Sequence, residues 1–247
     1  MLIQISDLVN KIISNPAPVL FLDTCAILDI MNTPFYDHLN IGVIETAIKL
    51  IKGSDCDYPE VWLVITEDVE KEWRKNSVKI KEDSHKQIDE FSKRLNRFDQ
   101  VVKKAGIPPG FSYNKSEQFM LDGYLYELSE KLLLASNKIE NDEDSQIRAL
   151  ERVRNNQPPY SKFKDREKGT IDCVIIEHFI KTTIFLCENE FRNEVYFISS
   201  NTNDFGKPDD IKEPLKSQFD EVNLQYVTDI AWASSVIKTG STPAGGS

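Results

Sequence analysis

Short apolar runs that end in polar residues divide the chain into candidate strands. Val19–Leu22 is an unbroken apolar run after a proline, which is typical of a strand buried on both faces of a parallel sheet. Similar runs occur at residues 61–65, 195–198 and 222–227. Apolar residues at helical spacing separate these runs, with enough chain for crossover connections. The pattern therefore predicts an α/β fold with a central parallel sheet flanked by helices.

Residues 76–156 interrupt this alternation with a charged, helical block. Two long amphipathic patterns and a shorter one fill the block, and none of them is typical of a strand. We interpret the block as a long α-helical insertion into a domain formed by residues 1–75 and 157–238. Residues 239–247 have linker composition and are expected to form a flexible tail or a cloning scar.

Composition narrows the classes of function. The chain has 247 residues, 40% of them hydrophobic, which suffices for an ordinary core. It contains no run of eighteen apolar residues and no basic-then-apolar start, so we expect a cytoplasmic protein without a membrane span or secretory signal. The four cysteines lack metal-type spacing and the three histidines are dispersed. Carboxylates, in contrast, are abundant.

The net charge of −10 is unevenly distributed along the chain. Residues 1–70 contain three Lys and Arg against eleven Asp and Glu, whereas residues 71–104 contain eleven against six. A second basic cluster consists of Lys162, Lys164, Arg166 and Lys168. The sequence thus allows a basic surface for phosphates beside an acidic centre.

Two acids follow the first two predicted strands. Asp23 comes directly after residues 19–22, where open α/β sheets place their ligand crevice. Glu72 lies on the flank of the apolar stripe of the helix after the second strand. Each acid also has a simpler interpretation: Asp23 could cap the following helix, and Glu72 could pair with Lys75 or Lys79 at the surface.

Further acids occur in the second half of the chain. Asp172 shares a helix face with apolar residues, although a place in the first helical turn would also explain it. We expect Glu177 and His178, which lie off that face, to be solvated. Asn201 and Asp204 follow the strand at residues 195–198.

These polar residues can converge, because parallel strands place their carboxyl ends on one edge of a sheet. Carboxylates gathered without arginines repel one another unless a divalent cation neutralises them. Oxygen ligands suit Mg²⁺ or Mn²⁺, which also bind phosphate oxygens. The pattern favours a metal-dependent reaction on a phosphodiester.

Four segments in this order resemble the PIN domain, a nuclease family. They are Val-Leu-Phe-Leu-Asp23-Thr24, Val69-Glu-Lys-Glu72-Trp73, Lys168-Gly-Thr-Ile-Asp172, and Phe197-Ile-Ser-Ser-Asn201-Thr-Asn-Asp204-Phe205. The resemblance covers about residues 17–75 and 157–236. One departure concerns Asn201, where many members have an aspartate, which leaves the number of metal ions open.

The resemblance implies a Mg²⁺- or Mn²⁺-dependent endoribonuclease. The implied metal ligands are Asp23, Glu72, Asp172 and Asp204, with Asn201 completing the site or orienting the attacking water. Thr24 and Ser199 would contact a phosphate or a metal-bound water. Contacts to the RNA backbone would come from Lys162, Lys164, Arg166, Lys168 and the first helix of the insertion.

The resemblance also implies partners and leaves alternatives. The substrate would be single-stranded or structured RNA, such as tRNA, and stand-alone members are often toxins or phage-defence effectors. One alternative is a non-catalytic PIN-like module, whose helical insertion binds a protein partner or a second copy. Another is a HAD-like phosphatase with Asp23 as nucleophile, but that fold has a second aspartate at the position of Cys25.

Overall fold

A six-stranded parallel sheet forms the centre of the molecule. The computed structural model describes residues 1–54, 58–107, 120–161 and 166–239, without the side chains of residues 166, 168, 238 and 239. The strands are β1 (Leu2–Ile3), β2 (Val19–Leu22), β3 (Trp62–Thr66), β4 (Asn137–Ile139), β5 (Val195–Ile198), β6 (Gly206–Lys207), β7 (Asp210–Ile211) and β8 (Leu224–Val227). The parallel sheet has the order β1-β4-β3-β2-β5-β8, and β6 pairs with β7 separately. The predicted α/β fold with a central parallel sheet is confirmed.

Strand β2 lies between two other strands and is buried on both faces. Its four side chains are inaccessible to solvent, as expected from the unbroken apolar run. Leu20 lies opposite Leu63 of β3 and Tyr196 of β5. Beyond the strand, the amide of Asp23 donates to the carbonyl of Ile198 at 3.0 Å. The sheet ladder therefore fixes the backbone of Asp23 itself.

Helices cover the sheet in two packed groups. The helices are α1 (Ile5–Ser14), α2 (Thr24–Asn32), α3 (Gly42–Ser54), α4 (Glu67–Lys104), α5 (Leu121–Ala135), α6 (Glu143–Asn155), α7 (Arg166–Glu188), α8 (Thr202–Phe205), α9 (Leu215–Val222) and α10 (Ile230–Thr239), with a 3₁₀ turn at Thr33–Phe35. One group joins α2, α3, α4, α5 and α10, and the other joins α1, α6, α7 and α9. The Phe179 ring of α7 stacks on the Phe21 ring of β2, with 4.7 Å between the ring centroids. The second group therefore covers the face of the sheet to which Phe21 points. Within the described residues, no helix combines the length and apolar character of a membrane span.

Helix α4 is anchored at its start and along its first turns. The Thr66 hydroxyl accepts a hydrogen bond from the Val69 amide and caps the helix. The Trp73 indole then donates to the Ser129 hydroxyl of α5 at 2.8 Å. Ser129 in turn donates to the carbonyl of Ile27 in α2 at 3.0 Å. This chain of hydrogen bonds fixes the side of α4 that faces α2.

Strand β4 lies within the block predicted to be a helical insertion. It pairs with β1 and β3, so the block contributes to the sheet as well as carrying the predicted long helices. Local sequence patterns do not reveal this strand, because Asn137-Lys138-Ile139 is short and has a single apolar residue. The division of the chain into a nuclease domain and an insertion stays a prediction.

Glu177 and His178 of α7 are buried, so the prediction that they are solvated was wrong. Glu177 accepts a hydrogen bond from the buried Arg152 of α6. The His178 Nε2 accepts from the Asp142 amide at 3.0 Å, so its Nδ1 carries the proton and donates to the Val174 carbonyl. Helix α6 covers this side of α7, which the periodicity of α7 alone does not reveal.

Arg152→Ala tests the buried pair with Glu177. The substitution leaves a carboxylate buried without its cation, and we expect the free energy of unfolding in urea to fall by about 3–5 kcal/mol. Arg148→Ala is the matched control, because Arg148 pairs with Asp144 on the exposed side of α6. Its expected loss is below about 1 kcal/mol. Equal losses in the two variants would contradict the assignment.

Candidate active site

Asp23 lies buried at the carboxyl end of β2 and caps α2. Its Oδ1 accepts from the Thr24 amide at 2.7 Å, and its Oδ2 accepts from the Ser199 hydroxyl at 2.7 Å and from the Cys25 thiol at 3.2 Å. Burial raises the pKa of Cys25 well above its usual value, and the charges of Asp23 and Asp29 add to this effect. The thiol therefore keeps its proton and remains a donor. Asp23 is thus a helix cap, and neutral donors hold its carboxylate in place.

Thr24 connects Asp23 to Glu72. The Thr24 hydroxyl donates to Glu72 Oε2 at 2.7 Å, while its amide donates to Asp23. Glu72 is half-buried in the second turn of α4, and Thr24 itself is buried. A single residue therefore holds two carboxylates that are 49 positions apart in the chain. The hydrogen bond from Thr24 places Glu72 on the side of α4 that faces α2.

Asp204 lies in the short helix α8 that follows β5. It is buried in α8, and the side-chain Nδ2 of Asn201 donates to its Oδ2. Tyr226 of β8 donates a hydrogen bond to the Ser199 carbonyl at 2.8 Å. Burial, followed by the Cys25, Asp23 and Asp204 charges, raises the pKa of this phenol well above its usual range. The negative charges of Asp23 and Asp204 therefore both act on the buried Tyr226 hydroxyl.

Asp172 lies near the start of α7 and is buried. Helix α7 leads into the amino end of β5, so it runs antiparallel to the strands. Phe179 stacks against Phe21 in the middle of β2. Asp172 precedes Phe179 by seven residues, or about 10 Å of helix, in the direction of the carboxyl edge of the sheet. The fold thus brings Asp172 to the same edge as Asp23.

The donor set is composed of oxygen ligands. Carboxylate, hydroxyl and amide oxygens suit a hard divalent cation such as Mg²⁺ or Mn²⁺. The described residues contain no group of three or more His, Cys, Asp or Glu side chains that could already hold a metal ion. The chemistry of the donors fits such a cation.

The predicted RNA contacts lie largely beyond the described residues. Lys162 and Lys164 fall outside them, as do the side chains of Arg166 and Lys168. On α4, several cations pair with acids three or four residues away, as Arg74 does with Glu70. Five cations of α4 therefore already have an acidic partner on the same helix.

Asp29 and Tyr226 are two site residues that the sequence analysis missed. Asp29 is a polar residue between apolar residues of α2, and Tyr226 occupies an inward position of β8. The local sequence around each of them is what an ordinary helix or strand residue would show. Burial raises the pKa of Asp29 to about 6, although the Ser200 hydroxyl opposes this shift. The charge of Asp23 adds to the rise. Long-range contacts, not local patterns, bring these groups to the site.

A model of the PIN domain matches residues 20–205, which is more than half of the chain. The chain belongs to the PIN domain family. PIN domains are typically metal-dependent nucleases, and the residues arranged around Asp23 lie in the matched range or, as Tyr226, close behind it. No match was found among curated proteins or among solved structures. Membership of this family sets aside the phosphatase alternative.

Asp29→Asn tests the electrostatic cost of the half-buried Asp29 carboxylate. The pKa of Asp29 rises from 3.8 to about 6 on folding, so the ionised side chain destabilises the fold above that pH. We expect Asp29→Asn to raise the free energy of unfolding at pH 7.5 by on the order of 1–3 kcal/mol. The gain should shrink toward zero as the pH falls through 6 to 4.

Urea unfolding at pH 7.5 and pH 4 measures this difference. Asp7→Asn is the control, since Asp7 is exposed on α1 and carries the same charge. A loss of stability at pH 7.5, or an equal gain at both pH values, would contradict the prediction.

Proposed function

We propose that the chain is a Mg²⁺- or Mn²⁺-dependent endoribonuclease that hydrolyses RNA phosphodiester bonds. The hydrogen-bonded link from Asp23 through Thr24 to Glu72 is the observation that carries this proposal. Two carboxylates held at the carboxyl edge of a parallel sheet, with Asp204 nearby, match the requirements of a site for a divalent cation. Family membership supports the nuclease class.

Each acid has an assigned role. Asp23, Glu72, Asp172 and Asp204 would hold the cation, which when bound neutralises charge on the phosphate and activates a water. Ser199 and Cys25 keep the Asp23 carboxylate oriented by donating to Oδ2. The Asn201 amide orients Asp204, and we assign this pair to positioning the attacking water. Thr24 positions Glu72.

The substrate assignment extends to the basic segments. Lys162, Lys164, Arg166 and Lys168 would contact RNA phosphates, together with cations of α4. Single-stranded RNA or a structured RNA such as tRNA is the proposed substrate. A toxin or phage-defence effector is the biological role that the family resemblance implies for this proposal.

A second candidate function is a non-catalytic interaction module. Helix α4 carries apolar side chains that are more than half exposed, namely Val78, Phe91, Phe98 and Val101. Such a surface suits a protein partner or a second copy of the chain. This function would require that the acids serve only as caps and hydrogen-bond acceptors, so it predicts no RNA cleavage with either cation.

Asp23→Asn and Asp172→Asn test the nuclease assignment. Each replaces a proposed ligand by an isosteric amide, and we expect RNA cleavage in Mn²⁺ to fall at least ~100-fold while both variants remain folded. Addition of a chelator to the wild-type assay should cause the same loss of RNA cleavage. Asp209→Asn, at an exposed position, serves as the control and should retain full activity.

Cleavage of a mixed RNA substrate, followed on a denaturing gel, measures these effects. Full activity in both ligand variants would refute the assignment of the site. No cleavage by the wild type with either cation would instead favour the interaction module.

A further inference from the structure

A separate cavity adjoins the proposed active site. Its volume is about 210 Å³, and it lies between α2, the loop that precedes α3, and the carboxyl ends of β5 and β8. Its polar lining includes Asp29, His38, Asn40, Ser200, Thr202 and Asp229. This is the crevice outside the carboxyl ends of the strands, where open α/β sheets bind ligands. No role has so far been assigned to it.

The lining of the cavity suits a flat heteroaromatic ring. Ala26, Leu39 and Val43 provide the apolar part of its lining, beside the polar groups named above. The volume is several times the roughly 30 Å³ that one water occupies in the liquid, so a bare cation would not fill it. Ligand sites of this kind combine apolar walls with a few placed polar groups.

Aromatic rings are present at the rim. The rings of Tyr36 and His38 lie 5.7 Å apart with an interplanar angle of 52°. Tyr36 is 48% exposed and His38, which lines the cavity, is also exposed. Proteins that bind single-stranded RNA stack unpaired bases on such rings.

The cavity is close to the proposed site of cleavage. Ser199, which donates to Asp23, is followed directly by Ser200, which lines the cavity. Asp29 lies on the same helix as Asp23, about 9 Å further along its axis. The electrostatic influence of Asp23 on Asp29 is consistent with this proximity. A nucleotide whose phosphate reaches Asp23 could therefore place its base in the cavity.

We propose that this cavity binds a guanine base of the RNA substrate and that Asp29 accepts hydrogen bonds from its N1–H and 2-amino groups. The proposal rests on the proposed ribonuclease function. A carboxylate offers two acceptors, and guanine presents two adjacent donors on its Watson–Crick edge. Adenine and cytosine place an acceptor opposite one carboxylate oxygen, and uracil flanks its single donor with two acceptors. The base selectivity therefore arises from repulsion as well as attraction.

The cost of keeping Asp29 supports a functional role. Its burial destabilises the fold at neutral pH, whereas an asparagine would remove this cost. Proteins often keep a destabilising residue at a position where function requires a strained or desolvated group, even though a substitution there would stabilise the fold. The substitution that tests base binding is thus expected to leave the protein folded.

Saturation-transfer NMR with the four nucleosides tests the proposal directly. Guanosine, adenosine, cytidine and uridine carry no phosphate, so the acidic site does not repel them, and EDTA excludes a contribution from metal ions. Guanosine should bind at least about tenfold more tightly than the other three to the wild type, and Asp29→Asn should lose this preference. Asp7→Asn, the matched charge control, should retain it.

The possible results distinguish failure of the guanine-site proposal from failure of the nuclease proposal. RNA cleavage without any guanosine preference in binding would overturn the guanine site and leave the nuclease assignment intact. Guanosine binding that depends on Asp29, in a wild type that cleaves no RNA, would support the cavity and contradict the nuclease assignment. Guanosine binding that is unchanged in Asp29→Asn would overturn the assigned contact.

Discussion

The structure depends on a buried carboxylate at the end of its central strand. Transfer of a carboxylate from water costs free energy unless donors replace the water. Asp23 meets this requirement with donors from α2 and from the residue after β5, the Thr24 amide and the Ser199 hydroxyl. Its own amide continues the ladder to Ile198. The positions of β2, β5 and α2 are therefore coupled through one side chain.

The same arrangement extends outward from Asp23 to the rest of the edge. The Thr24 hydroxyl donates a hydrogen bond to Glu72. The hydrogen bond from Trp73 to Ser129 holds α4 in the orientation that this contact requires. On the other side, Ser199 and the next residues lead to the cavity beside Asp29. The proposed active site and the cavity beside it thus share one set of strand ends, as expected for an open α/β sheet.

Local sequence patterns predicted the elements that form the edge but not the contacts across it. The buried run before Asp23 and the cap at Thr66 follow from the order of apolar and polar residues. Strand β4 was missed, because three residues paired between β1 and β3 carry no periodicity of their own. The burial of His178 was missed for a related reason, since α6 covers it from another part of the chain. The contacts of Tyr226 likewise depend on strand order, which local patterns do not contain.

Binding of Mn²⁺ to the full chain tests the central claim most directly. Titration calorimetry would compare the wild type with Asp23→Asn, Thr24→Val and the exposed control Asp209→Asn. The account predicts binding in the wild type and the control and none in Asp23→Asn. It predicts affinity reduced roughly 10- to 100-fold in Thr24→Val, because Glu72 loses the hydroxyl that positions it. Equal Mn²⁺ affinity in the wild type and Asp23→Asn would contradict the account.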